Sequence, residues 1–321
     1  MKICLIGPGI MPIPPDGWGA VEMLIWEYYK ILTEIGHSVD IININNKSEI
    51  INSVNEKDYD AVHLHYDVFS DVMSEIKAKV KIISSHYPYI GFPEKYMQDG
   101  YDKQIPNIVK NEDFYIFASS NRDIDTFVKF GADSKKTFLS ILGVNEESYE
   151  YYESSAYDKT LCFSQIVERK RQYVIQDIDS IDFFGRLDDP KFRNYSNYKG
   201  EVPREFLNKE ISKYSNFVLL SSVENTTPLV VKESLICGLG VVVSEAVALE
   251  LDTDKDFISV IPEEKINDLV YLKYKIEENR SISASMRSEI RKYGVEKFGL
   301  RSILNKSYIH KIKEILNAEN N

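Results

Sequence analysis

Cysteine, histidine and long apolar runs are all scarce in this 321-residue chain. Its three cysteines, Cys4, Cys162 and Cys237, form no Cys-x-x-Cys pair and cannot all be matched in bridges, and its five histidines make no ligand cluster. A disulfide framework and a structural zinc site are therefore excluded, and a reducing, cytoplasmic compartment is expected. No run approaches the ~18 apolar residues of a membrane span. Met1-Lys2 leads directly into the short run Ile3-Cys4-Leu5-Ile6, closed by Gly7-Pro8-Gly9, so neither a transmembrane segment nor a signal peptide is expected. Positive charge is in deficit: 39 Lys and Arg stand against 50 Asp and Glu, and residues 1–155 hold 14 against 24. Nucleic acid and anionic lipid are poor partners for such a chain, and any phosphate-bearing ligand should be held by the C-terminal half, where 25 basic residues nearly balance 26 acidic ones.

What is present suffices for folded cores, since 43% of the residues are hydrophobic. At ~150 residues per domain the length implies two of them, with a cleft between. Short β-branched runs at 2–6, 38–44, 61–65, 80–84, 115–119 and 137–141 alternate with helical patterns, the mark of βα units and a parallel sheet. Between them, residues 20–34 place Val21, Leu24, Ile25, Tyr28, Ile31 and Leu32 at helical spacing, with Gly36 at the stop. The pattern collapses at 146–159 into an acidic, tyrosine-rich stretch, read as the interdomain linker. A second series follows, with strands at 161–166, 180–184, 195–199, 217–221, 241–244 and 257–261. The expected division is thus 1–150, 157–299 and a terminal amphipathic helix, 300–321, that packs back across the junction.

The loop after the first strand lacks the third glycine of a dinucleotide fingerprint, Pro12 standing in its place, so a dehydrogenase is not indicated. It ends in Gly17-Trp18-Gly19 before the helix, where exposed backbone N–H groups favour an anion. The stretch 221–240 is richer. Its strand feeds a loop in which Thr226 or Thr227 is placed to cap a helix that Pro228 begins, leaving the N–H groups of Leu229 and Val230 for a diphosphate. Glu224 precedes the cap and Glu233 follows inside the helix, so both carboxylates can face one site.

On these residues the sequence resembles the retaining GT-B glycosyltransferases of family 4, whose C-domain carries a Glu, seven residues, then Glu at this strand-loop-helix. Here eight residues separate Glu224 from Glu233, and Asn225 stands at the family spacing, so Glu224 or Asn225 takes the first role. The run Gly238 to Ser244 is similar to the family's Gly-x-Pro-Val-Val-x-Ser. Upstream, Leu161 to Gln172 resembles the strand-Gly-Arg-loop-Lys element, with Ser164 and Gln165 where Gly and Arg are usual, Lys170 at the place of the diphosphate-binding lysine, and Arg169 or Arg171 able to replace the lost arginine. Residues 198–203 look like the segment beside the nucleobase, with backbone groups near Val202 reading the base; His86, just past a strand, matches a histidine facing the donor sugar, while His63 and His65 read as packing residues.

The resemblance implies two facing Rossmann-like domains, a nucleoside-diphosphate sugar as co-substrate on the second, and a glycan, protein or lipid acceptor on the first, a lipid being least favoured by the acidic charge. It implies retaining, metal-independent transfer with the donor phosphate as base. Lys170 and Arg169 would stabilise the leaving diphosphate, Gly17 to Gly19 would close over it, Glu233 would hold the ribose, and Glu224 and His86 would orient the sugar. Asp123-Ile124-Asp125, the nearest Asp-x-Asp, falls in an expected helix. A sugar-nucleotide epimerase and a catalytically degenerate sugar-nucleotide-binding protein are the alternatives.

Overall fold

The computed structural model describes residues 1–15, 19–110, 112–194 and 196–319. The chain forms two compact units, Met1–Ile141 together with the residues from Arg301 on, and Leu142–Leu300.

The first unit is built on a six-stranded parallel sheet of β1 (Lys2–Ile6), β2 (Ser38–Ile42), β3 (Tyr59–Leu64), β4 (Ala78–Ile83), β5 (Tyr115–Ala118) and β6 (Thr137–Leu139), in the order β2-β1-β3-β4-β5-β6. Ile3 to Ile6 are wholly buried, as a central parallel strand covered on both faces requires, and β1 pairs Ile3 with Val39 on one side and with Ala61 on the other. Around the sheet lie α1 (Ala20–Glu34), α2 (Lys47–Asn55), α3 (Pro93–Gln98), α4 (Ile105–Val109) and α5 (Asn121–Lys129), which contains Asp123 and Asp125. The helical spacing at 20–34 corresponds to α1, whose Leu24, Ile25, Tyr28, Ile31 and Leu32 are buried.

The second unit holds β7 (Thr160–Phe163), β8 (Ile181–Phe184), β9 (Asn216–Leu219), β10 (Gly240–Ser244) and β11 (Ile258–Ile261), all parallel, in the order β11-β10-β9-β7-β8. With them go α6 (Gln172–Ile175), α7 (Arg204–Glu210), α8 (Leu229–Ile236) and the 30-residue α9 (Leu269–Phe298). α8 and α9 cross where Gly294 has no side chain; a Cβ there would lie 2.6 Å from the Leu235 carbonyl carbon. The strand expected at 195–199 does not form. Tyr195 is outside the described residues, and the rest makes one bridge to β8, Phe183 with Tyr198, in which the Phe183 N–H donates to the Asn197 carbonyl at 2.9 Å and the Lys199 N–H to the Phe183 carbonyl at 2.8 Å, while the Asn194 and Asn197 side chains reach Asp177 and the Ile178 carbonyl.

The division falls earlier than the polar stretch at 146–159. That stretch is a strap on the second unit: the Glu150 N–H donates to the Asn208 carbonyl at 3.0 Å, Tyr152 N–H to Ser212 Oγ at 2.9 Å, and Arg291 lies over the Tyr151 ring at 4.7 Å. It lacks periodicity because its partners are a backbone carbonyl, a hydroxyl and an arginine. The terminal segment comprises α10 (Leu300–Ile303), a π-helical turn at Leu304–Tyr308 and α11 (Ile309–Glu319). It joins the first unit, where the buried Tyr308 ring lies 5.4 Å from that of Tyr28, 5.5 Å from His63 and 5.8 Å from Phe117.

Candidate functional site

In the second sheet the chain runs outward from β7 to β8, then reverses to β9, β10 and β11 on the other side. The switch point therefore lies between the carboxyl ends of β7 and β9, where an open α/β sheet offers its ligand crevice. The loops leaving those two strands carry most of the residues singled out from the sequence.

After β7 the chain makes a tight turn at Glu168–Lys170 and leaves it through Arg171 in the left-handed region, at φ 56°. The Arg169 carbonyl accepts the Ser222 N–H at 2.7 Å, and its guanidinium Nη1 donates to Glu224 Oε1 at 2.7 Å and to the Val223 carbonyl at 3.1 Å. One arginine thus ties the β7 loop to the β9 loop. Lys170, beside it, has no side-chain hydrogen bond or ion pair among the described residues. Burial pushes its ammonium down to about 8, with Glu224 opposing the shift and Arg169 adding to it. Arg171 turns away, gripping Glu263 through two bonds of 2.9 and 2.6 Å, so it is not a second phosphate ligand. Gln165 is exposed and donates to Asp188 at 2.6 Å. Its loop packs close against Gly185, at φ +130°, where a Cβ would lie 2.1 Å from the Ser164 carbonyl oxygen.

The β9 loop differs from expectation at the helix start. α8 begins at Leu229, its cap is Pro228, and no side chain caps it. Thr227 is occupied elsewhere: its hydroxyl donates to the Val247 carbonyl at 3.1 Å and its N–H to Glu250 at 3.3 Å, while Thr226 also donates to Glu250. Leu229 and Val230 consequently start the helix with N–H groups that no side chain covers. Glu250 is in turn held by Lys232, at 2.9 Å, whose fully buried ammonium also donates to the Leu142 carbonyl at 3.0 Å. Burial lowers the Lys232 pKa and Glu250 counters it.

Glu233, one residue on, is buried, with 3% of its side chain exposed. Its Oε1 accepts from Arg204 Nη2, which also meets the Tyr149 hydroxyl, and its Oε2 is buried with no partner among the described residues. The Glu233 carboxylate and Tyr149 together outweigh burial and raise the Arg204 pKa. Val202, half-buried, lies two residues before Arg204, in the segment anchored where the Gly185 N–H meets the Gly200 carbonyl at 2.9 Å. The structure thus gathers Arg169, Lys170, Glu224, Asn225, Thr226, Thr227, Pro228, Leu229, Val230 and Glu233 at one sheet edge. Sequence reasoning missed Arg204, Tyr149, Lys232 and Glu250. Lys232 carried a signal, since a lysine inside Leu-Val-Val-Lys-Glu-Ser-Leu-Ile must find an acidic partner if that face is buried.

In the first unit, His86 follows β4 and stacks on His65, rings 5.5 Å apart and nearly parallel, with Nε2 3.2 Å from His65 Nδ1. Burial pushes His86 down to about 4. His63 and His65 are buried as neutral imidazoles, and burial lowers both. Ser84 Oγ donates to the Phe117 carbonyl at 2.8 Å and so accepts from His63 Nε2 at 2.9 Å, leaving Nδ1 to accept from Tyr308 at 3.1 Å. Gly19 caps α1 at φ +148°, and Gly17 and Trp18 lie outside the described residues. Among the described residues no group of His, Cys, Asp and Glu is arranged to hold a metal, and no helix is long and apolar enough to cross a membrane.

Neither a protein-family model nor a curated protein matches the chain. Solved structures do. AviGT4, described as a glycosyltransferase involved in avilamycin A biosynthesis, is 16% identical with a TM-score of 0.69 over 99% of this chain and 98% of that one. HepE of Anabaena, in complex with UDP and glucose, is 13% identical with a TM-score of 0.72 over 98% and 100%. Sucrose-phosphate synthase from Thermosynechococcus elongatus is 13% identical with a TM-score of 0.73 over 99% of each. At such identities the likeness establishes the fold, which is the GT-B type: two Rossmann-like units with parallel sheets.

Proposed function

We propose that this protein is a retaining, metal-independent glycosyltransferase of the family 4 kind, moving a hexosyl group from a nucleoside-diphosphate sugar to a hydroxyl of a glycan, protein or lipid. One observation carries this: at the switch point of the second sheet, Lys170, with no side-chain hydrogen bond or ion pair among the described residues, feels the buried Glu224, whose loop Arg169 ties to its own and which leads into the uncapped start of α8 with its buried Glu233. That combination suits a diphosphate flanked by hydroxyl-bearing rings. Lys170, charged at pH 7, and the N–H groups of Leu229 and Val230 would receive the negative charge that grows on the leaving diphosphate. Glu233 Oε2 would accept from the ribose and Glu224, steadied by Arg169, from the sugar. The acceptor oxygen bonds to the anomeric carbon as the carbon–phosphate oxygen bond breaks on the same face, and that phosphate oxygen takes the acceptor proton. No protein nucleophile is required. For His86 we propose a neutral hydrogen-bonding role toward the sugar, since a group held at about 4 is uncharged at pH 7. The work would be done in the cytoplasm.

The substitution of Gln165 for the usual arginine, its amide turned to Asp188, favours as a second reading a protein that binds sugar nucleotides without transferring the sugar. A thermal-shift screen of UDP, GDP, ADP, CMP and dTDP sugars, beginning with UDP-glucose because HepE was solved with it, is the first test. A shift with one donor, lost in Lys170→Ala, followed by EDTA-resistant sugar transfer with retained anomeric configuration, supports the proposal. Binding without transfer, or an isomerised donor released without acceptor, moves the assignment to a binding protein or an epimerase. No shift with any donor rejects it.

A further inference from the structure

Glu233 is a carboxylate with almost no water around it, and its two oxygens are treated differently. Oε1 meets Arg204, whereas Oε2 is a buried acceptor without a donor among the described residues. Arg204 arrives from the first turn of α7 with about a third of its side chain exposed, and its guanidinium lies over the Tyr149 ring at 5.6 Å while touching that residue's hydroxyl. Tyr149 itself is fixed by the strap, which the Glu150 N–H bonds to Asn208 near the end of the same helix. Cys237, just past the end of α8, feels Glu233 together with Arg204 and with Arg287 and Arg291 of α9. Arg287 donates to the carbonyls of Tyr152, Ser212 and Tyr214, and Arg291 to that of Ile236. Among the described residues Arg204 is therefore the one cation in contact with Glu233.

We infer that Arg204, backed by Tyr149, is the positioning residue of Glu233, fixing one carboxylate oxygen so that the other is offered to a ribose hydroxyl. This rests on the donor-site reading. Arg204 sets the plane of the carboxylate, because the guanidinium fork admits few orientations, and Oε2 is left as the open acceptor among the described residues. Burial, together with the Glu233 carboxylate beside it, raises the Tyr149 hydroxyl pKa well above its ordinary value, so it serves as a neutral group that accepts from Arg204 and also hydrogen-bonds Glu233.

The test is calorimetric titration, from pH 5.5 to 8.0, of UDP, GDP and ADP and of their 2′-deoxy and 3′-deoxy counterparts. The wild-type protein is expected to bind one of the ribonucleotides roughly tenfold more tightly than at least one of its deoxy forms, at every pH. In Arg204→Ala the preference should shrink to about twofold, while Arg204→Lys keeps most of it. A variant that melts like the wild type and retains the full preference at all pH values overturns the inference. Should Arg204→Ala fail to fold, Arg204→Gln keeps a donor without the charge, and a pH-independent, wild-type preference there is equally fatal. Loss of all binding in the wild-type protein, or binding indifferent to Lys170→Ala, rejects the donor site itself. Lys170-dependent binding whose ribose preference ignores Arg204 rejects only the positioning role.

Discussion

At the proposed donor site, Lys170 would make nucleotide binding a pH-dependent event with a calculable slope. In the free protein burial holds its ammonium at about 8, against an ordinary value of 10.5. A diphosphate beside it stabilises the charged form, so binding draws a proton onto Lys170 wherever the free lysine is neutral. The sign follows from that: affinity is flat below about pH 7, where the lysine is already charged, and falls as pH rises through 8. The charged fraction of the free lysine drops from about one half at pH 8.0 to about one in thirty at pH 9.5, so with a bound-state value back near 10.5 the affinity should fall roughly 15-fold across that interval. Titration of nucleoside diphosphate in buffers of differing ionisation heat would give both the affinity and the protons taken up. Lys170→Arg, charged throughout, should flatten the profile and so also correct for ionisation of the base. A wild-type profile no steeper than that of Lys170→Arg refutes the reasoning, because Lys170 would then have the same charge in both states.

Two further outcomes follow from packing. Lys232→Met leaves the Glu250 carboxylate without its cation, and urea unfolding of the second unit should register a loss of about 3–5 kcal/mol; the double variant Lys232→Met/Glu250→Gln should recover most of it, which a purely steric role for Lys232 would not allow. Gly185→Ala forces a Cβ against the Ser164 carbonyl at a backbone angle that suits glycine, so a loss of about 1–3 kcal/mol in urea unfolding should accompany weaker nucleotide binding; wild-type affinity in a destabilised variant would show that the β7 loop does not shape the site.

The sheets were legible because a parallel strand buried on both faces must be a short, nearly continuous apolar run, and eleven such runs lie between helical patterns. The exception is instructive. At 195–199 a strand was expected, yet the described residues there make a single bridge to Phe183 while the Asn194 and Asn197 side chains reach back to Asp177 and Ile178, contacts that a strand pattern does not register. The Glu224 and Glu233 positions were legible as a strand-loop-helix with two carboxylates. Their pairing with cations was not, although Arg169 itself was singled out, because Arg169 and Arg204 come from segments 55 and 29 residues away, and only the fold brings them near. The helix cap was misjudged for a related reason: Thr227 has the chemistry of a cap, but Glu250 and the Val247 carbonyl, more than twenty residues later in the chain, bind it first. The strap at 146–157 read as a linker because its fastening to Asn208, Ser212 and Arg291 leaves no periodic trace.

The tail that places Tyr308 against Tyr28, His63 and Phe117 also sets an order of events during synthesis. The second unit is one uninterrupted stretch, 142–300, and has all its parts once that stretch has left the ribosome. The first unit, although translated first, has a vacancy on its sheet until residues 301–319 emerge, and His63 waits for its phenolic partner across 245 residues. The older half of the nascent chain is thus finished last, so a ribosome stalled shortly after residue 300 would hold one completed unit and one with its aromatic core open to chaperones or proteases.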